Sequence, residues 1–499
     1  MESSNKRLAK NTIIMYARML LLLVVSLYTS RVVLQVLGIS DFGLYSLVNS
    51  IVISFSFVNT SLIGTARRYL AFSLGRGNEE EYNRVFCSCT TLFIIAGFMI
   101  TLLLIPIGLW LIGNRLNIPE DRTYAARILL LSVGVTFFLS FVKAAYHAVI
   151  ISHERMGFYA FTGIAEAVMK LIIVYLLVVI PIDKLMVYGF LQALLALVFL
   201  AVCIVYAMRY LNTRYSFVYD KKLFRELSAF SGWSLYDGVA SIGKVEFINL
   251  IINSFFGVVV NAAVGVAKQV NAAVNSFTSN FITAYSPQIT KSYAGGDYDR
   301  LNYLIINTSK FSGAIFFMIA IPLCVNIQDV LQLWLGVVPR HADCFVCFLL
   351  LSSGLEALSG PFWITGYAIG NIRNLQCVTG TLRLIPVPFV YLYFIHGGPV
   401  DDVFITVVIS DLLIYIYRIS YLKSKMNFDV SGYMNHIYRL LLIIGSVIVV
   451  TLLCKRCVDN PLARLMSSVL VSVICFSVMT YYLLMNRHQR KSILNFASR

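Results

Sequence analysis

Apolar runs recur from one end of the chain to the other, parted by short polar stretches. Most run for roughly 18 to 25 residues, enough at about 1.5 Å per residue to cross a hydrocarbon core about 30 Å thick. No water reaches that depth to satisfy the backbone, so each run must be a helix. Fourteen spans are predicted, at 12–37, 43–66, 86–112, 126–151, 159–181, 185–208, 229–254, 260–285, 304–327, 344–366, 375–395, 403–422, 437–454 and 465–485. The first follows Lys6, Arg7 and Lys10 as a signal peptide would. It is too long for one, carries Arg18 and Arg31, and lacks a small-residue cleavage site, so it reads as a retained helix.

Composition makes lipid the main solvent: of 499 residues, 59% are hydrophobic and 13% charged, too little polar surface for a water-soluble chain of this length. The net charge of +16 would suit nucleic acid, but its placement argues otherwise. With Arg418 counted in the loop after span twelve, 23 lysines and arginines fall on the side of the N-terminus and 7 on the other, the asymmetry of the positive-inside rule, with both termini cytoplasmic. No loop exceeds about 20 residues, and no GxxxxGK[ST] phosphate loop is present, which excludes ATP hydrolysis by that route. The ten cysteines lie in or beside apolar runs without clustered histidines and read as free thiols, with no metal site.

Sliding the sequence against itself by 219 residues aligns Leu37-Gly38 with Phe256-Gly257, Asn49 with Lys268, Ser73 with Ser292, and Gly77-Asn78 with Gly296-Asp297. Spans one and two then correspond to seven and eight, and the repeat unit is six spans. An even number keeps both copies in the same orientation, as in transporters whose site lies between parallel repeats. The expected organisation is an N-terminal lobe at 1–208, a cytoplasmic linker at 209–228, a second lobe at 229–422, two extra helices at 437–485 and a cytoplasmic tail at 486–499.

Polar residues inside the spans are the functional candidates, because a charge at bilayer depth must be paired or wet. Span eight presents Asn261, Lys268, Asn275 and Ser279 on one face with Asn271 beside it, and span two has a comparable stripe of Ser46, Asn49, Ser50, Thr60, Ser61 and Gly64. Helix-packing glue is the simpler account of span two; the lysine makes a wet cavity the better account of span eight. Span seven carries Asp237, Ser241 and Lys244 along one face and Glu246 nearly opposite. Asp237 and Lys244 are about 10 Å apart along the axis, so their partners must come from other helices. Arg18 and Arg31 lie within span one, where snorkelling accounts more readily for Arg31. Glu166 and Lys170, spaced i, i+4, are expected to neutralise one another. Lys143, Glu356, Arg383 and Asp411 read as isolated charges, and Lys310 and Arg439 as snorkelling ones. Cations outnumber acids two to one within the spans, which suits an anionic substrate such as a phosphate or pyrophosphate.

Several motifs resemble the Wzx-type polysaccharide flippases of the MOP exporter superfamily, which also holds the MATE antiporters and lipid II flippases. They are Asn11-Thr12 with Tyr16 and Arg18, Arg31, Leu37-Gly38, Asp41-Phe42-Gly43-Leu44-Tyr45, Arg67-Arg68-Tyr69-Leu70, Gly75-Arg76-Gly77-Asn78, Pro287-Gln288-Ile289-Thr290-Lys291 and Gly370-Asn371-Ile372-Arg373. The resemblance covers essentially the whole chain. It implies an all-α integral membrane protein of about fourteen helices, with two MATE-like six-helix lobes in a V around a cationic cavity and two C-terminal helices. The implied cargo is an undecaprenyl-pyrophosphate-linked oligosaccharide, flipped outward across the bacterial inner membrane for O-antigen, capsule or another exported glycan. Membrane lipids and the polysaccharide polymerase machinery are the implied partners, with no nucleic acid.

Arg18 matches the family's cavity arginine. Arg31, Lys244, Lys268, Asn271, Asn275 and Asn49 complete the expected substrate-binding set. Asp237, Glu246, Glu356 and Asp411 are the candidates for coupling to a proton or sodium gradient, and no other cofactor is expected. A cation-coupled MATE-type antiporter is the second reading. The third is a membrane glycosyltransferase or O-antigen polymerase, which would need a long extramembrane loop that this chain does not contain.

Overall fold

The computed structural model describes residues 2–490 except 54, 115–119, 182, 218–219, 336–337, 427, 459 and 486–489. The side chains of 2–9, 27, 30, 34, 39–40, 50–51, 53 and 258–259 are also left aside. Lys6, Arg7, Ser50 and all of the 486–499 tail but Arg490 therefore lie outside the described residues.

The described elements are all helical, and the chain divides into two compact units between Leu235 and Tyr236. The first unit contains α1 (Glu2–Ile53), α2 (Ser56–Arg76), α3 (Glu79–Asn114), α4 (Glu120–Ser152), α5 (Met156–Val179), α6 (Lys184–Tyr210) and the start of α7 (Lys221–Ala294). The second holds the rest of α7, then α8 (Tyr298–Val325), α9 (Ile327–Leu335), α10 (Ala342–Ile369), α11 (Arg373–Leu384), α12 (Pro386–Ile395), α13 (Val403–Met426), α14 (Val430–Cys457) and α15 (Pro461–Met479).

Twelve helices among the described residues are long and apolar enough to cross a membrane. The equivalent segments, 43–53 with 56–76 and 258–294, are helical too but carry the polar stripes, in keeping with about fourteen crossings. This is a multi-pass membrane protein, and its outer surfaces are apolar: Leu20, Leu21 and Val24 on α1 and Phe98, Leu102 and Leu103 on α3 are exposed, as lipid-facing residues should be. Each unit has its own core. In the first, α4 packs against α3 and α6, and α1 lies along α5 around Phe86, Phe93, Leu129 and Phe141. In the second, α10 packs against α8 and α13 around Phe316, Phe345 and Val403.

The repeat is written into the backbone. Gly38 kinks α1 at φ +80°, ψ 169°, and Gly257 kinks α7 at φ +77°, ψ −174°, a region essentially closed to residues with a Cβ. Gly77 and Gly296, again 219 residues apart, both turn with φ near +70° (70° and 73°), and a matching cap follows each. The Glu81 amide donates to Asn78 Oδ1, and the Arg300 amide to Asp297 Oδ1, both at 3.0 Å. Gly38→Ala and Gly257→Ala are each expected to cost about 1–3 kcal/mol, read as a lower unfolding temperature of the purified protein in detergent. Unchanged stability in both would place the pivots elsewhere.

Some elements differ from the sequence expectation. The second span is interrupted at Phe55, where the chain turns before α2 begins. The eleventh breaks at Pro386, which has no N–H to continue the helix. The loop expected after α8 contains the short amphipathic helix α9, with Leu333 and Trp334 exposed and Asp329 held at 2.9 Å by Arg464.

Candidate functional site

Each unit carries its own cluster of charged side chains, and the two clusters differ in balance. In the first unit, Tyr159, Gly163, Glu166 and Lys170 recur along α5 at helical spacing and so share a face. The Arg18 guanidinium of α1 sits over the Tyr159 ring, 4.4 Å from its centroid. Gly163 makes room for it: a Cβ there would lie 2.8 Å from Arg18 Nε. His147 of α4 packs edge-on against the same tyrosine at 5.1 Å, and one turn earlier Lys143 donates to Glu166 Oε2 at 2.8 Å. Lys170 reaches the other carboxylate oxygen at 3.5 Å. Arg67, on α2, lies within electrostatic reach of Arg18, Tyr159 and His147.

Among the described residues, the cluster thus gathers Arg18, Arg67, Lys143 and Lys170 with a single acid, Glu166. The Nε atoms of Arg18 and Arg67 and His147 Nε2 are covered, and none has a hydrogen-bond acceptor among the described residues. An enclosed donor without an acceptor is costly unless something else supplies one. Positive charge is therefore in local excess in this cluster.

The second unit is balanced. Arg383 of α11, buried at 6% exposure, bonds Asp237 of α7 through Nε at 3.2 Å and Glu356 of α10 through Nη2 at 2.9 Å. Thr379 donates to the same Asp237 oxygen at 2.9 Å. Lys244, equally buried, reaches both oxygens of Asp411 at 3.0 and 3.1 Å, and Ser352 donates to that carboxylate as well. Arg418 of α13 is buried, donates to Ser359 Oγ at 2.7 Å, and lies within reach of all three acids. Three cations meet three carboxylates here.

The expected residues therefore fall into groups. Asp237 and Lys244 do take partners from other helices, as their separation required. Lys143, Glu356, Arg383 and Asp411, which read as isolated, are all paired, because partners distant in sequence meet in the packed bundle. Glu166 is shared: its shorter bond goes to Lys143, not to Lys170. Lys268 pairs with Glu246 at 3.1 Å, with Glu246 exposed. Asn275 donates to Ser353 at 2.9 Å, and Asn271 keeps a covered oxygen without a donor among the described residues. Asn49 is half-buried and Arg31 exposed. Lys310 and Arg439 donate to the carbonyls of Leu484 and Leu483 at 3.0 and 3.1 Å.

Sequence reasoning missed Arg67, just beyond span two, and Arg418, inside span twelve but counted with the loop charges, as well as His147 and Tyr159. The signal for Arg67 was available: Gly77-Asn78 is a helix stop, which places Arg67 about 13 Å inside the preceding helix.

A third constellation lies where α1 turns beyond Gly38. Arg122 bridges Asp41 and Asp183 at 2.8 and 2.5 Å. Burial pushes the Asp41 carboxyl above its ordinary range; Arg122 pulls it back, while Asp183 and Asp121 add to the rise. His341, 219 residues beyond Arg122, holds Asp401 at 2.6 Å in the second unit. These pairs fasten the ends of corresponding helices.

Solved structures share this arrangement of helices along most of the chain. A variant of the Vibrio cholerae MATE transporter VcmN superposes with a TM-score of 0.72 at 16% identity, covering 85% of this chain and 98% of that one. The fold is that of the MATE transporters. An outward-facing multidrug resistance MATE transporter of the MOP superfamily gives 0.71 at 13% identity over 85% and 96%. A Pyrococcus furiosus MOP superfamily transporter, described as having a binding pocket of reverse polarity that suggests a different function, gives 0.67 at 12% over the same shares. Among curated proteins, the chain is 20% identical over 488 residues, 95% of each chain, to the uncharacterized membrane protein EpsK of Bacillus subtilis (strain 168). No family model matches. The MATE-like neighbours are transporters, and the likeness at these identities concerns the fold.

Proposed function

We propose that the protein is a flippase of the bacterial inner membrane, with both termini cytoplasmic. It carries an undecaprenyl-pyrophosphate-linked oligosaccharide from the cytoplasmic to the outer leaflet by alternating access. The observation that carries this reading is the excess positive charge in the first unit, where, among the described residues, the Nε atoms of Arg18 and Arg67 have no acceptor and Glu166 is the one acid beside four cations. Cations placed inside a lipid-embedded bundle call for an anionic counterpart, and a pyrophosphate head group supplies two or more negative charges with oxygens suited to guanidinium forks. Pocket polarity already differs among proteins of this fold, since the P. furiosus transporter is described as reversed.

The fold itself favours a second reading, a cation-coupled antiporter like the multidrug neighbours. Reconstitution separates the two. Proteoliposomes holding an undecaprenyl-pyrophosphate-linked oligosaccharide should expose its sugar to an external lectin faster than empty liposomes, while cells overproducing the protein retain ethidium. Dye extrusion without lipid translocation would assign the antiporter function.

A further inference from the structure

The same first-unit cluster contains its own acid, and the geometry points to Glu166 as a built-in competitor that occupies the lysines of the head-group site until cargo displaces it. The inference rests on the proposed reading of that cluster as an anion seat. Glu166 bonds Lys143 through one oxygen at 2.8 Å and reaches Lys170 through the other at 3.5 Å, so one carboxylate spans two ammonium groups much as a phosphate would. It lies on the face of α5 that also holds Tyr159 and Gly163, the residues against which Arg18 rests.

The two arginines and the two lysines are thus in different states. The covered Nε atoms of Arg18 and Arg67 have no acceptor among the described residues, while Lys143 and Lys170 are already engaged. A head group arriving at the arginines gains the lysines only by displacing Glu166, whose freed charge then repels it. A transporter has to release what it binds, and a tethered carboxylate returning to Lys143 and Lys170 drives that release. Glu166 in this view sets affinity and departure rate without being required for recognition, since the arginines carry recognition.

The test uses the full-length protein in detergent, with inorganic pyrophosphate titrated by calorimetry, and in proteoliposomes loaded with undecaprenyl pyrophosphate. Glu166→Gln is expected to bind pyrophosphate about tenfold more tightly, the effect of one unit charge at close range in partly hydrated protein, and to translocate the lipid several-fold more slowly. Glu166→Asp keeps the charge and the fold but loosens both lysine contacts, and should tighten binding about twofold. Unfolding temperatures recorded alongside separate lost structure from altered affinity. Pyrophosphate binding in the wild type with unchanged or weaker affinity in both variants would overturn the competitor role alone. No pyrophosphate binding in the wild type would overturn the anion seat and this inference together.

Discussion

Arg18→Ala and Arg67→Ala are each expected to lower lipid translocation roughly 10- to 100-fold while leaving the protein inserted and as stable as the wild type. The magnitude follows from a hydrogen bond to a charged group, worth about 1.5–3 kcal/mol at about 1.4 kcal/mol per factor of ten. Stability should hold because neither guanidinium Nε has an acceptor to lose among the described residues: Arg18 rests on the Tyr159 ring, and Arg67 lies in the field of its neighbours. Removing a cation from a cluster of four around one acid even relieves repulsion. Arg18→Lys should recover only part of the activity, since an ammonium cannot form the forked contact with a phosphate. Translocation assays on proteoliposomes, with the amount of inserted protein measured in parallel, decide the matter. Normal translocation in both alanine variants would remove the first-unit cluster from the cargo path.

The sequence made the fold legible because lipid imposes so strong a rule on it: apolar runs of spanning length have one structural solution. The repeat was legible for a more particular reason. Gly38 and Gly257 stand where only glycine is tolerated, and the Gly77-Asn78 and Gly296-Asp297 stops need a left-handed residue followed by a capping oxygen. These residues carry backbone meaning, so they stand out from apolar helices that otherwise look alike. Lys244, Asp237, Arg383 and Glu356 could be picked out as charges at depth, but nothing in their spacing says which of them meet. Arg383 lies 146 positions from Asp237 and 27 from Glu356, separations that only packing brings together. Counting cations against acids over all the spans therefore averaged a balanced cluster with an unbalanced one. The imbalance became local only when Arg67 entered the first cluster and Arg418 the second.

Arg383→Leu is expected to be the most damaging single change in the second unit. Its guanidinium is covered and serves two carboxylates at once, so its loss strands Asp237 and leaves Glu356 without its nearest cation. Breaking a buried pair by removing one partner costs about 3–5 kcal/mol, a large fraction of the stability of a typical domain, and the variant should fail to accumulate in the membrane. The remedy separates the two roles open to these acids. If they are counter-ions of the network, Arg383→Leu combined with Asp237→Leu keeps the balance, with Lys244 and Arg418 facing Glu356 and Asp411. That double variant should then recover insertion, thermal stability and translocation. If Asp237 instead binds a coupling proton or sodium ion, the double variant would fold and yet lose gradient-driven transport. The counter-ion outcome is the expected one, because a coupling cation would have to displace Arg383 from Asp237 and Lys244 from Asp411, and each is tethered within 3.2 Å of its carboxylate. Arg383→Leu accumulating at the wild-type level would refute the network's structural role outright, since the half-buried Asp237 losing its partner without cost would mean that water already solvates it.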